Sequence, residues 1–266
     1  MKAFVAIILA AGISLVAAQQ SKAPAAPRVF EGRTTIQDDA GEGQRLMESL
    51  IGAPPSANSS LYGTFVIRDA DDKRTEIPVR WLTQRETDTL WHDVFETKQV
   101  VGHPAQRFIV THEAGKTNRY ALAVANLQTG EFPKPSPLAR EKLFSPFAGT
   151  DYWLADLGLD FYHWPAVRIV KTEMRKGRSC RVVECLNPKP TPGAYSRVLC
   201  WIDYESGGLV RAEAFDSNNQ RLKEFSVRKV KRVDGRVQLR EIEMRNVKTD
   251  SSSVLQFEVE FDDPQK

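Results

Sequence analysis

The sequence predicts a mainly β protein with a few helices: a long antiparallel meander, interrupted once by aromatic helical material, that forms a strongly curved sheet with that material tucked into its concave face. Three observations carry this expectation. Twelve stretches alternate apolar and polar residues with a period of two. The turns between them are short, which pairs successive strands antiparallel rather than through crossovers. One segment breaks the rhythm: Phe147 to Pro165, FAGTDYWLADLGLDFYHWP, gathers Tyr152, Trp153, Phe161, Tyr162 and Trp164 with neither a strand nor a helix period. It predicts a short helix plus an irregular link that lays rings on the sheet.

The chain opens with MKAFVAIILAAGISLVAA, in which Lys2, the apolar run Phe4 to Val16 and the small residues Val16-Ala17-Ala18 read as a cleaved export signal. The apolar run is shorter than the roughly 20 residues a spanning helix needs. Gln19 follows the expected cleavage site, so no lipid-bearing cysteine stands there. Residues 19–37, rich in Pro, Ala and Gln at their start, predict a flexible tether, and 38–266 one large domain. Acids at Asp38, then Leu46, Met47, Leu50 and Ile51, with Gly52 and Pro54-Pro55 as a stop, predict an amphipathic helix from Asp38 to Ile51.

Strands are then expected at Leu61 to Arg68, Thr75 to Thr83, Thr89 to Thr97, Gln106 to Glu113 and Arg119 to Ala125. A Pro-rich loop, a helical turn at Leu138 to Phe144 and the aromatic segment follow. The alternation resumes at Arg168 to Met174, Ser179 to Leu186, Tyr195 to Tyr204, Leu209 to Asp216, Arg221 to Val233, Arg236 to Arg245 and Ser253 to Phe261. Ser206-Gly207-Gly208, Ser217 to Gln220 and Asp234-Gly235 are the turns between them. In Arg221 to Val227 charge alternates with apolar residues, which assigns one face of the sheet to water.

Without the signal, 36 basic residues face 34 acidic ones, and no basic stripe follows a phosphate backbone, so nucleic acid is not an expected partner. His92, His103, His112 and His163 form no metal-binding spacing, and no nucleophile elbow or phosphate loop is present. Neither a cofactor nor a metal is expected. Asp151 and Asp156 beside rings would suit acid-base chemistry, but Asp151 stands just where a helix begins and reads better as a cap or first-turn acid. In an oxidising compartment Cys180, Cys185 and Cys200 predict one disulfide and one free thiol. Cys180 and Cys185, five apart on one strand, face opposite sides, and the register leaves either open to pair with Cys200.

The aromatic residues, including Trp81, Trp91, Phe95, Phe108, Tyr120, Trp153, Trp164 and Trp201, could line a cavity or fill a core, and periodicity alone favours a core. A family resemblance bears on that choice. The central LFSPFAGTDYWLADL, with its GTD-Y-x-x-x-DL element, and the strand carrying Gly235, Ile242, Met244 and Asn246 resemble the LolA-like outer-membrane lipoprotein-sorting family over roughly Arg45 to Phe261. That resemblance implies a strongly curved, open antiparallel half-barrel with a helical lid, and a non-enzymatic periplasmic carrier or chaperone that binds lipoproteins or other acylated ligands in an apolar cavity under that lid. It makes Trp81, Trp91, Phe95, Phe108, Phe147, Tyr152, Trp153 and Leu157 the expected cavity lining, and Asp151, Asp156, Phe161 and Trp164 parts of the lid. Membrane-bound donor and acceptor proteins would be further partners. Arg80 is the candidate for the family's lid-locking arginine. A lipoprotein-sensing regulator or protein-binding scaffold is the alternative role.

Overall fold

A computed structural model of the chain describes residues 40–52, 54–233 and 236–258. The expected signal and tether, the start of the first helix, the Asp234-Gly235 turn and the end of the last predicted strand lie outside the described residues. Helix α1 runs from Ala40–Ile51. Six strands follow: β1 Ser59–Arg68, β2 Arg74–Arg85, β3 Leu90–Thr97, β4 Gln106–Glu113, β5 Arg119–Val124 and the short β6 Ser136–Pro137. After a 3-10 turn at Arg140–Phe144 come helix α2, Leu154–Leu157, and a second 3-10 turn at Asp160–His163. The second half holds β7 Ala166–Arg175, β8 Arg178–Leu186, β9 Arg197–Asp203, β10 Leu209–Phe215, β11 Arg221–Val233, β12 Arg236–Asn246 and β13 Ser251–Phe257.

These thirteen strands form one antiparallel sheet in the order β6-β5-β4-β3-β2-β1-β13-β12-β11-β10-β9-β8-β7. Successive strands pair as the short turns require. The one long-range pairing joins β1 to β13, with Phe65 opposite Leu255, and fuses two meanders into one surface. Among the described residues both edges, β6 and β7, stay unpaired, so the sheet is open.

The sheet is strongly curled, and the contacts of one short turn prove it. Tyr120 on β5 donates a hydrogen bond to Asp160, while the same 3-10 turn packs on β8. These strands stand ten steps apart in the sheet order, which at a spacing of about 4.8 Å would separate them by about 48 Å if the sheet were flat. The segment from Phe147 to Trp164 therefore lies inside the curl as a plug. Helix α1 closes the β7 end by setting Met47 and Leu50 into the same core.

Alternation sorts the faces. Along β3, Trp91, Asp93, Phe95 and Thr97 are buried and the residues between them are half exposed. The convex face carries ion pairs such as Arg80–Glu96–Arg107 and Arg168–Glu184–Arg197. Glu184 is itself buried between its two arginines, whereas the more exposed pairs contribute about 0–1 kcal/mol each and keep the outside wet more than they hold the fold. A small apolar cluster of Cys180, Val182 and Trp201 also sits on that outer face.

Candidate functional site

The site is the interface between plug and sheet, and its two sides differ. On β2 to β5 the concave face is a ladder of rings: Trp81 stacks on Phe95 at 5.0 Å, Phe95 on Phe108 at 6.3 Å and Phe108 on Tyr120 at 6.0 Å between centroids. Phe147 of the plug seats against Phe108 and Phe65, each at 6.2 Å. Two glycines permit this closeness. A Cβ on Gly158 would meet the Tyr120 ring at 2.5 Å, and one on Gly149, where φ is +76°, would meet His103 at 2.7 Å. Trp91 lies further along the same face, stacked on His112 at 5.1 Å. Buried Asp93 ties this end together, accepting from Trp81 Nε1, Thr83 Oγ1 and His112 Nε2. Burial pushes the Asp93 carboxyl up, but the bond to and charge of His112, with the other two donors, bring it below its ordinary range.

Three plug carboxylates anchor the segment. Asp151 accepts from Ser251 Oγ at 2.6 Å and Ser253 Oγ at 2.7 Å, both on β13, and its own N–H donates to Ser253 at 2.8 Å. Asp160 accepts from Tyr120 at 3.1 Å, Trp164 Nε1 at 2.9 Å and Arg140 at 3.2 Å. Asp156 accepts from the Trp153 N–H at 2.8 Å and from Tyr195 at 3.0 Å. This corrects the expected helix start: α2 begins after Trp153 with Asp156 as its capping acid, and Asp151 reaches across to β13 instead.

Over β9 to β12 the plug leaves a pocket, lined by Tyr152, Asp156, Leu157, Leu159 and Phe161 from the plug and by Tyr195, Val198, Leu209, Ala212, Ala214, Lys223, Phe225, Ile242 and Met244 from the sheet side. Small side chains make the room. Ala212 stands opposite Phe225, and Ala214 opposite Lys223. The cavity within it is about 30 Å³, space for about one water-sized group.

One cation enters this apolar pocket. Lys223, 2% exposed, donates to the carbonyl oxygen of Asp151, lies 3.8 Å from the Asp156 carboxylate and sits 3.8 Å above the Trp153 ring. Burial pulls its ammonium down to about 8 against the pull of Asp156 and Asp151. Burial likewise pushes Asp156 up, opposed by Lys223, the Trp153 N–H and Tyr195. The Tyr152 hydroxyl, buried within reach of the charges of Asp156, Glu243 and Asp151, has no hydrogen-bond partner.

The expected lining residues thus divide. Tyr152 and Leu157 line the pocket, and Trp153 stacks on Tyr195 at its border at 4.6 Å. Trp81, Phe95, Phe108 and Phe147 belong to the ring ladder, and Trp91 to the His112 stack. Of the lid residues, Asp156 and Phe161 reach the pocket, Asp151 anchors on β13 and Trp164 donates to Asp160. Arg80 points outward to Glu96, and a cation that reaches the plug from the sheet is Lys223 instead. Alternation held the clue, since Lys223 shares its face with Phe225. The same holds for Ser253, which shares its face with Leu255 and Phe257.

The expected disulfide is not present: Cys180, Cys185 and Cys200 are all free and buried. Val183 stands opposite Cys200, which puts Cys185 and Cys200 on the concave side and Cys180 on the outer one. Burial, with neighbouring Cys185, pushes the Cys200 thiol well up.

An open antiparallel sheet of this kind is found in solved structures of other proteins. Three crystal structures share it, each at 14% identity. An outer membrane lipoprotein-sorting protein domain from Vibrio parahaemolyticus matches with a TM-score of 0.66 over 83% of this chain and 92% of its own. A DUF1329 family protein from Desulfovibrio piger matches at 0.64 over 84% and 92%. A LolA superfamily protein from Nitrosomonas europaea matches at 0.55 over 83% and 91%. The chain itself belongs to a family described as "Uncharacterized protein", whose model matches residues 131–266, just over half its length. No curated protein matches it.

Proposed function

We propose that this protein is a periplasmic carrier or chaperone of the LolA type, which holds a lipoprotein acyl chain or another apolar-tailed ligand between plug and sheet. The observation that carries the reading is the plug itself. It covers an apolar pocket in a curled open sheet and is held there by discrete hydrogen bonds to strand side chains. The conformation described is closed, since a cavity of about 30 Å³ cannot take a hydrocarbon chain. Loading therefore requires the plug to swing or slide away from β9 to β12. Each methylene then moved out of water contributes about 0.8 kcal/mol, so a chain of ordinary length supplies enough to offset the lost plug contacts. Export to the periplasm rests on the signal at residues 1–18.

Binding rather than catalysis fits the carboxylates, because Asp151, Asp156 and Asp160 spend their acceptor capacity on plug and sheet donors. The filled interior favours one other reading, a scaffold or lipoprotein-sensing regulator that uses its surface to bind a protein. Delipidated protein titrated with a fluorescent fatty acid or lipopeptide separates the two. Saturable uptake, and a co-purifying lipid in organic extracts of detergent-free protein, are the results expected of a carrier. No uptake at any concentration would leave the scaffold.

A further inference from the structure

The pocket under the plug is not uniformly apolar. Its walls are hydrocarbon, from Leu209, Ala212, Phe225, Ile242 and Met244, but its lining also includes Lys223, with a buried ammonium, and Tyr152, whose buried hydroxyl has no partner. A buried hydroxyl left without a hydrogen bond costs free energy, and buried polar groups are otherwise almost always paired. The ammonium is under-served as well. Its hydrogen bond goes to an uncharged carbonyl, and the Asp156 carboxylate, 3.8 Å away, is already occupied by Tyr195 and the Trp153 N–H. Both groups are donors. The hydroxyl lacks an acceptor, and the ammonium, although Asp156 lies 3.8 Å away, lacks a charged acceptor within hydrogen-bond distance; an oxyanion at the end of an apolar tail would supply both.

We propose that this pocket binds the oxyanion head of a single-chain amphiphile, a long-chain carboxylate or an alkyl phosphate, with Lys223 Nζ as counter-ion and the Tyr152 hydroxyl as second donor. The assignment rests on the carrier reading and narrows its ligand class. It also links loading to opening. The groups Lys223 now engages, the Asp151 carbonyl, the Asp156 carboxylate and the Trp153 ring, all belong to the plug. An oxyanion that takes the ammonium competes with all three, so head-group capture loosens the cover that the tail must pass.

The test compares laurate, dodecyl phosphate and dodecanol, which share one chain, on the delipidated full-length protein by displacement of a fluorescent fatty-acid probe. Charge-assisted hydrogen bonds of this kind predict that at least one anion binds about tenfold or more tightly than dodecanol, and the tighter of the two anions names the head group. Lys223→Met is expected to abolish that preference. Tyr152→Phe, which breaks no hydrogen bond of the ligand-free protein, is expected to weaken the anions severalfold and leave dodecanol unchanged. If all three amphiphiles bind the wild type equally, the head-group assignment fails while the carrier reading stands. If neither the amphiphiles nor a diacyl lipopeptide binds, both fail. Should Lys223→Met not fold, an unaltered anion preference in Tyr152→Phe would still overturn the assignment.

Discussion

The plug meets the two halves of the sheet differently, although a smaller gap of about 10 Å³ also lies between it and Asp93, His112 and Asn118. Against β1 to β5 it inserts Phe147 among Phe65 and Phe108, and two glycines bring its backbone within reach of Tyr120 and His103. Against β9 to β12 it leaves a pocket floored by Ala212 and Ala214 and crossed by Lys223. On the proposed carrier reading, the difference would separate a hinge from an opening. On the ladder side ring packing, lost only when the rings part, adds to hydrogen bonds that Tyr120, Asn118 and Gln106 make with the plug, whereas the bonds of Lys223 can be exchanged one for one with a ligand or water. The segment should stay attached on the ladder side and lift on the lysine side.

The largest effect that would break this contrast is expected in the ladder. Phe108→Ala removes a fully buried ring that touches Phe95, Tyr120 and Phe147, and should cost about 3–5 kcal/mol in denaturant unfolding. A loss near 1 kcal/mol would mean the ladder is no tighter than the pocket side.

Acid gives the next effect. Burial, reinforced by His112 and Arg140 and opposed by Asp160, pulls His163 down to about 4 from 6.5. The unfolded chain therefore binds the proton first. The stability contributed is complete above pH 6.5 and lost as the pH falls from 6.5 toward 4, to a total of about 3 kcal/mol at most. His163→Gln should flatten urea-unfolding stability across that window, and an unchanged slope would show that other groups set it.

Asp151→Ala strips the acceptor from Ser251 and Ser253 and should cost about 1–3 kcal/mol. The cost should be local: amide exchange should rise in the plug and not in β3 to β5. The smallest expected effect is a gain. Tyr152→Phe deletes a hydroxyl without a partner, and ligand-free protein should become more stable by up to about 1 kcal/mol, read as a rise in the urea midpoint.

Much of the architecture was legible because period-two alternation depends only on neighbouring residues. The strand bounds Gln106–Glu113 and Arg221–Val233 follow directly from it. The pairing of β1 with β13 did not, because nothing local to Phe65 specifies Leu255, nearly two hundred residues later. The two-residue β6 is too short to show a period. In the site, the plug was visible as a concentration of rings, but its anchors were not. Lys223 was read with its charged neighbours as part of a wet face, although its parity with Phe225 places it inside. Arg80 fails by the same parity, since Trp81 takes the inner position next to it. Ser251 and Ser253 gain meaning only when Asp151 lies across from them, a contact spanning about a hundred residues.

The central claim is that the plug is a movable cover released on its lysine side. Hydrogen exchange by mass spectrometry, with and without saturating laurate or dodecyl phosphate, addresses it most directly. The account predicts faster exchange in residues 150–160 on binding, with β3 to β5 unchanged. Bound ligand with the plug amides as protected as before would contradict it.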